Sequence, residues 1–235
     1  MSPPAIECCS VNLVSAYNEI IDAYYRAWFR YHPEAAVDLG VEGYSEQLMP
    51  YGDDDIGALL TLHEKLIDSL DEVDLAALAP DQQIDLQLMR GQALIESEYL
   101  IEHDWRLRDP ARFLPVNAIY QLTIRPVKDR GGALRARLRA IPGYLRGARQ
   151  HLVTEAEAIP PLWLEAALAE ATQGVKYLRD LRQHPPLQQY RLDSELEHAA
   201  HALDEFAHFM ERDLLPRAKG DFACGRGMFE MLLRY

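Results

Sequence analysis

The pattern of apolar positions predicts helices along nearly the whole chain. Near the start, apolar and aromatic side chains recur every three or four residues up to Pro33: Leu13, Tyr17, Ile20, Ile21, Tyr24, Trp28 and Tyr31. This spacing places them on one face of an amphipathic helix, which must be buried against other elements. Pro33 ends this helix, and Gly40 and Gly43 supply the backbone freedom for a tight reversal before Tyr44.

The same spacing predicts seven further helices, most of them bounded by proline, glycine or acidic residues. Their approximate ranges are 56–73, 81–107, 113–124, 134–152, 160–181, 192–215 and 222–235. Pro142 lies inside the segment 134–152, where it predicts a bend or a break in the helix. The sequence therefore predicts an all-α array of about seven or eight mostly antiparallel helices with no sheet. We expect one domain over residues 1–235, with residues 1–10 as a flexible tail.

The last predicted helix carries an apolar face up to the final residues. Met228, Phe229, Met231, Leu232 and Leu233 follow Gly225 and Gly227. An exposed apolar helix of this kind marks a surface that other polypeptide covers. We therefore expect a protein partner or a homo-oligomer through the C-terminal apolar helix.

Composition and charge exclude some classes of partner. The net charge of -13 argues against nucleic acid, because a phosphate backbone is bound through a basic face. No run of 18 apolar residues occurs and the N-terminus lacks a signal core, so we expect no membrane span and a cytoplasmic location. The three cysteines, Cys8, Cys9 and Cys224, cannot form a disulfide framework, and reduced thiols are expected.

The charge is distributed unevenly along the chain. Residues 34–104 carry 18 acidic residues against Lys65 and Arg90, whereas residues 105–150 carry 11 basic residues against Asp109 and Asp129. The basic helix either pairs with neighbouring acidic helices or faces an anionic ligand. In the second case a carboxylate or phosphate would be clamped by guanidinium groups on the helix over 134–152. The candidate ligand-binding residues are Arg135, Arg139, Arg146 and Arg149.

The helix over 192–215 contains the candidates for a metal site. His201, Glu205 and His208 share one helical face, and imidazole and carboxylate groups are metal ligands. The opposite face is apolar, so the polar side is equally explained by contact with water. We expect no metal here. Two Glu-x-x-His pairs on this helix, beginning at Glu195 and Glu205, point roughly 80° apart and cannot close a carboxylate-bridged di-iron site.

Other catalytic motifs are incomplete or absent. The His63-Glu64 pair begins an HExxH zinc motif, but no second histidine follows. The sequence contains no GxSxG, P-loop or GxGxxG motif. We therefore assign no catalytic residue and expect no cofactor.

Three segments of the chain resemble a known family. They are residues 28–44, which end a first helix and continue as PEAAVDLGVEGY; residues 137–152, RLRAIPGYLRGARQHL; and residues 214–233, LLPRAKGDFACGRGMFEMLL. In this order and spacing, the chain resembles the N-terminal part of a large bacterial family of uncharacterised, zincin-like proteins, catalogued as domain of unknown function 885. The resemblance implies a helical portion that forms one wall of a substrate cleft. Members of this family are longer, and their HExxH-type motif lies in a C-terminal half to which no residue here corresponds.

Two functions follow as hypotheses. In the first, the chain is a non-catalytic domain that acts through a partner. It would be a fragment, a short form of the family or half of a split enzyme. It would not be an enzyme alone, but would contribute to a metallopeptidase-like hydrolase in a larger assembly. In the second, the chain is a stand-alone small-molecule-binding protein or enzyme with a pocket between helices, lined by the arginine or histidine candidates.

Overall fold

The fold is entirely helical. The computed structural model describes the backbone of residues 7–235 and the side chains of residues 17–235. Within these residues no strand occurs, which confirms the predicted all-α class. In chain order, the α-helices are α1 (Glu7–Trp28), α2 (Pro33–Asp38), α3 (Asp53–Asp71), α4 (Pro80–His103), α5 (Trp105–Arg108), α6 (Val116–Ile124), α7 (Arg130–Thr154), α8 (Pro161–Asp180), α9 (Pro185–Gln188), α10 (Asp193–Phe209) and α11 (Gly225–Arg234).

Eight of these helices are long, and each corresponds to a segment predicted from apolar spacing. Their number agrees with the seven or eight helices expected, whereas the antiparallel order stays a prediction. The short helices α2, α5 and α9 were not predicted. The predicted tail of residues 1–10 and the thiols of Cys8 and Cys9 lie outside the residues described in full.

Several helix boundaries differ from the sequence prediction by a few residues, and two of these differences have a local cause. The helix predicted over 81–107 ends at His103, because the Asp104 side chain accepts the backbone N–H of Arg106 at 3.1 Å and thereby starts α5. The helix predicted over 113–124 begins at Val116, after a 3-10 turn at Pro110–Phe113. α7 continues through Pro142, so of the two predicted alternatives, a bend or a break, the break does not occur.

The chain forms two compact units, each made of separate segments. Unit 1 contains the described part of Met1–Tyr31 together with Pro50–Glu102 and Cys224–Tyr235. Unit 2 contains His32–Met49 and His103–Ala223. The expectation of a single domain over 1–235 stays a prediction.

The core of unit 1 joins α1, α3 and α4 through the periodic side chains described above. Tyr17 and Tyr24 of α1 pack in one cluster with leucines of α3 and with residues of α4: Leu66, Leu70, Leu86, Met89 and Ala93. α11 adds the buried Met228. Tyr235, directly after α11, lies against Gly91 of α4. If residue 91 carried a Cβ atom, that atom would be 3.0 Å from the Cβ of Tyr235. Glycine at position 91 therefore permits the close approach of the chain to α4.

The core of unit 2 is built on α7, α8 and α10. The apolar stripe of α7 is buried: Leu134, Leu138, Ile141, Leu145, Ala148 and Leu152. Gly174 of α8 lies close to its neighbours, since a Cβ atom there would be 2.5 Å from Val116 Cγ2 and 2.9 Å from Leu203 Cδ2. The small residue allows α8 to pack tightly against α6 and α10.

Candidate functional site

The metal candidates of the sequence lie together in a groove on α10. The groove has a volume of about 320 Å³. Its lining consists of two histidines, three acidic residues, two arginines and one aromatic ring: Arg149, His201, Asp204, Glu205, His208, Phe209, Arg212 and Asp213. The apolar side of α10, including Leu203 and Phe206, is buried, as predicted.

The three candidate ligands are exposed in this groove. His201 Nε2 lies 3.8 Å from Glu205 Oε1, and the two side chains are 69% and 58% exposed. His208 Nδ1 lies 2.8 Å from the Asp204 backbone oxygen, to which it donates. Within the described residues, no group of three or more His, Cys, Asp or Glu side chains is arranged to hold a metal ion. The binding properties of this face remain predictions.

Two of the four candidate arginines are engaged by a neighbouring helix. Arg139 Nη2 donates to Glu195 Oε1 at 2.9 Å, and Arg135 Nε lies 3.5 Å from the same oxygen. The pKa of Glu195 is lowered, first by a hydrogen bond from its own backbone N–H and then by Arg139 and Arg135. This arrangement corresponds to the first of the two interpretations of the basic helix, pairing with acidic helices.

The other two candidate arginines have different surroundings. The Arg149 guanidinium lies 5.3 Å from the centre of the Phe209 ring and lines the α10 groove. Its Nε atom is buried and has no hydrogen-bond partner in the described part of the chain. Arg146 is exposed. The four arginines therefore do not converge on one site.

A fully buried arginine of α7 was missed by the sequence analysis. Arg137 is 0% exposed and donates to two backbone oxygens, that of Ala118 and, at 3.4 Å, that of Tyr44. Burial lowers the pKa of Arg137 and raises the pKa of Glu34, while the two opposite charges partly offset both changes. Glu34 also accepts backbone hydrogen bonds from its own residue and from Met49. The pair thus fixes both sides of the reversal at residues 39–49.

The sequence contains a signal for this buried arginine. Arg137 follows Leu134 by three residues and precedes Ile141 by four, so it lies on the apolar face of α7. A charged residue at such a position must find polar partners inside the protein. Gly40 and Gly43 of the same reversal have positive φ angles of 74° and 101°, as their predicted role requires.

A second missed cluster surrounds His63 in unit 1. His63 is 0% exposed, and its Nδ1 lies 2.9 Å from Ser97 Oγ. Its Nε2 lies 3.3 Å from Glu96 Oε2, which is an ion-pair distance, but makes no hydrogen bond within the described residues. Trp28 Nε1 donates to the same Glu96 oxygen at 3.2 Å. The cluster connects α1, α3 and α4.

The composition of this cluster resembles a hydrolase triad, but its geometry does not fit acyl transfer. Ser97 lies within α4, where the neighbouring backbone N–H groups are used in helical hydrogen bonds. An oxyanion would find no free backbone donor beside the hydroxyl. The cluster is therefore a polar anchor of the unit 1 core. Sequence inspection could not find it, because Glu96 and Ser97 follow His63 by more than 30 residues.

The helices of the described residues include none that is both long enough and apolar enough to cross a membrane.

Comparison with known proteins identifies a family but no activity. No curated protein matches this sequence. A solved structure described as "a putative lipoprotein of unknown function from Shewanella oneidensis" has a similar fold, with a TM-score of 0.77 and 16% sequence identity. The match covers 92% of this chain and 41% of that chain, so the chain spans less than half the length of its structural neighbour.

The sequence also matches a family model over residues 33–235, which include the three segments of the resemblance almost entirely. The model is described as "Bacterial protein of unknown function (DUF885)". The match leaves out α1, whose periodic apolar face belongs to the core of unit 1. With most of its length matched, the chain belongs to the DUF885 family of bacterial proteins.

Proposed function

We propose that this chain is a non-catalytic helical part of a zincin-like peptidase, in which it forms one wall of the substrate cleft. It would act with polypeptide that carries the HExxH motif, supplied by a partner or by further sequence. Membership of the DUF885 family and the 41% coverage of the structural neighbour support this proposal. No residue of this chain is given a catalytic role.

The exposed apolar face of α11 is the observation that carries the proposal. Phe229, Leu232 and Leu233 stand at positions i, i+3 and i+4, on one side of the helix, and are 56%, 49% and 71% exposed. Met228, by contrast, is 5% exposed and holds α11 to unit 1. Neighbouring large apolar side chains in water are typical of a surface that binds other polypeptide.

Such a wall would contribute to peptidase chemistry by positioning the substrate peptide. A catalytic zinc polarises the substrate carbonyl and activates water, but the peptide must be held in the right geometry beside it. A rigid helical wall supplies this geometry without touching the reacting atoms. Docking through α11 would place the wall relative to the catalytic part.

The experiment compares the chain with a double variant, Phe229→Ser with Leu233→Ser. The variant removes two apolar anchors from α11 and leaves the buried Met228 in place. We expect wild-type protein to bind an HExxH-containing polypeptide of the family from the same genome, and the mixture to cleave an unstructured peptide. Loss of even one central anchor of an interface costs about 2 kcal/mol or more, so the double variant should bind at least about 30-fold more weakly.

Leu162→Ser is the matched control. Leu162 on α8 is 59% exposed and large, but it belongs to unit 2. It should leave binding and cleavage unchanged. A stable, monodisperse monomer that binds no apolar dye, and whose behaviour does not change in the double variant, would contradict the proposal.

A second candidate, binding of a small molecule between helices, is favoured by the α10 groove. Arg149 and Arg212 supply guanidinium groups there, and Phe209 supplies a ring. Loss of ligand binding on Arg149→Ala and His201→Ala, with unchanged helical content, would support this function. Unchanged binding in both variants would exclude the groove.

A further inference from the structure

Unit 1 contains a groove between α1 and α3 that the proposed function does not use. Its volume is about 390 Å³, within the range of small-molecule sites. Apolar side chains of both helices form most of the lining, with three polar residues beside them: Ile20, Ala23, Tyr24, Leu62 and Leu66, with Glu19, Lys65 and Ser69. Tyr24 and Leu66 are 5% and 3% exposed, so they form the inner part of the groove.

Lys65 is an unusual charge in this part of the chain. Residues 34–104 carry 18 acidic residues and two cations, Lys65 and Arg90. Arg90 is paired with Asp71. Lys65 makes no ion pair with the residues that the structure describes, and its side chain lies at the groove. An unpaired ammonium beside an apolar groove favours a ligand with an anionic head and an apolar chain.

The remaining polar groups of the groove limit where the head can bind. Ser69 Oγ donates to the Lys65 backbone oxygen at 2.8 Å, so its proton is already used. Glu19, on the α1 side, is a carboxylate and offers no positive charge to an anion. The head must therefore lie at the α3 side, at Lys65. The chain of the ligand would then lie against Ile20, Leu62 and Leu66.

We propose that the groove between α1 and α3 binds a free amphiphilic anion, with its anionic head at Lys65 and its aliphatic chain between the two helices. This inference does not depend on docking at α11. Because Lys65 and α11 are separate features, either proposal can fail without the other.

Titration with dodecanoate below its critical micelle concentration tests the proposal by calorimetry. We expect saturable binding of one molecule per chain. Lys65→Gln should weaken it about two- to fivefold, because Lys65 is exposed and an exposed ion pair contributes about 1 kcal/mol or less. Lys176→Gln, which removes a charge from an exposed lysine of unit 2, is the matched control and should change nothing.

The chain of the ligand is tested separately from its head. Each methylene removed from dodecanoate should weaken binding by up to about fourfold. This factor corresponds to the free energy of burying one CH₂ group, about 0.8 kcal/mol. Neutral dodecanol should bind about as weakly to wild-type protein as dodecanoate binds to Lys65→Gln. Ala23→Phe should block the groove, and circular dichroism checks that this variant is folded.

Three results would overturn the proposal. One is the absence of saturable dodecanoate binding. Another is equal affinity for dodecanoate in wild-type protein, Lys65→Gln and Ala23→Phe. The third is binding to phosphatidylglycerol vesicles without binding to free dodecanoate, which would assign the basic group to a membrane surface instead.

Discussion

Arg137 combines a structural role with a high energetic cost. Its guanidinium is withdrawn from water, yet it holds the backbone of α6 through Ala118 and the reversal at residues 39–49 through Tyr44. Glu34 provides the opposite charge. A buried charge of this kind is tolerated only while its partners are present.

Substitution of Arg137 should therefore destabilise the protein strongly. We expect Arg137→Met to lower the free energy of unfolding by about 3–5 kcal/mol, because the Ala118 and Tyr44 oxygens lose their buried donor and the half-buried Glu34 loses a nearby positive charge. Adding Glu34→Gln should recover part of this loss, since the uncompensated carboxylate is then gone. Urea unfolding of the two single variants and the double variant measures the coupling. Strictly additive effects would show that the two side chains do not interact.

Tyr17 predicts a loss of stability in alkali. The Tyr17 hydroxyl donates a hydrogen bond to Asp85 Oδ2 at 2.7 Å. This hydrogen bond is the largest cause, and burial the second, of the rise in the pKa of Tyr17 to about 12. Because the pKa is higher in the folded state, the stabilisation is complete below about pH 10, the value for a free tyrosine, and is lost as the pH rises towards 12. Tyr17→Phe should show a smaller decrease in unfolding free energy between these pH values. Equal decreases in both proteins would assign the effect to other tyrosines.

At the level of helices, most of the architecture was predictable because burial is periodic. Most of the long helices bury apolar residues at every third or fourth position, and this signal is local in the sequence. The one-turn helices α5 and α9 are too short to show a period. The start of α5 depends on the Asp104 side chain, whose hydrogen bond to Arg106 competes with continuation of α4.

The candidate sites were less predictable than the helices. His201, Glu205 and His208 were brought into one groove because they share a helix. The cluster of His63 with Glu96 and the groove at Lys65 both depend on contacts between different helices. Such contacts leave no fixed spacing in the sequence. The sequence therefore indicated the polar groove on α10. It could not indicate the His63 cluster or the Lys65 groove, which form between α1, α3 and α4.

Two glycines should respond in opposite directions to the same substitution. Gly220 lies against the segment at residues 157–159, and a Cβ atom there would be 2.0 Å from the Ala158 backbone oxygen. Gly220→Ala should thus lower the free energy of unfolding by about 1–3 kcal/mol or more, as overpacking does. For Gly57, inside α3, no described atom beyond its chain neighbours and the backbone of its own helix lies within 4 Å of such a Cβ. Gly57→Ala should raise stability by about 0.5–1 kcal/mol through helix propensity.

Thermal unfolding of the two variants checks this contrast. The clash at Gly220 involves backbone atoms, which cannot rotate away as a side chain does. Lys219 and Gly220 also donate backbone hydrogen bonds to Glu157 and Ile159, so a shift there breaks both contacts. A neutral effect of Gly220→Ala would mean that this segment is free to move.

For the protein as a whole, the net charge of -13 predicts stabilisation by salt. The acidic residues of 34–104 repel one another, and salt screens this repulsion more than it weakens the fewer surface ion pairs. Raising NaCl from about 0.1 M to about 1 M shortens the screening length from about 10 Å to about 3 Å. We expect Tm to rise by about 2–4 °C, equivalent to about 1 kcal/mol for a chain of this size.

A variant with fewer charges provides the control for this effect. Asp68→Asn with Glu102→Gln neutralises two exposed carboxylates of the acidic segment. The Tm of this variant should rise less with salt than that of the wild type. A decrease of Tm with salt in both proteins would mean that attractive ion pairs outweigh the repulsion.

The order of segments in unit 1 has a consequence for synthesis on the ribosome. Its first two segments end at Glu102, but α11 follows only after the whole of His103–Ala223. At the usual speed of translation, roughly 5–20 residues per second, this interval lasts about 6–24 s. During that time the surface of α4 around Gly91, which Tyr235 contacts in the folded protein, is not yet covered. The nascent chain therefore exposes apolar surface that a chaperone can bind.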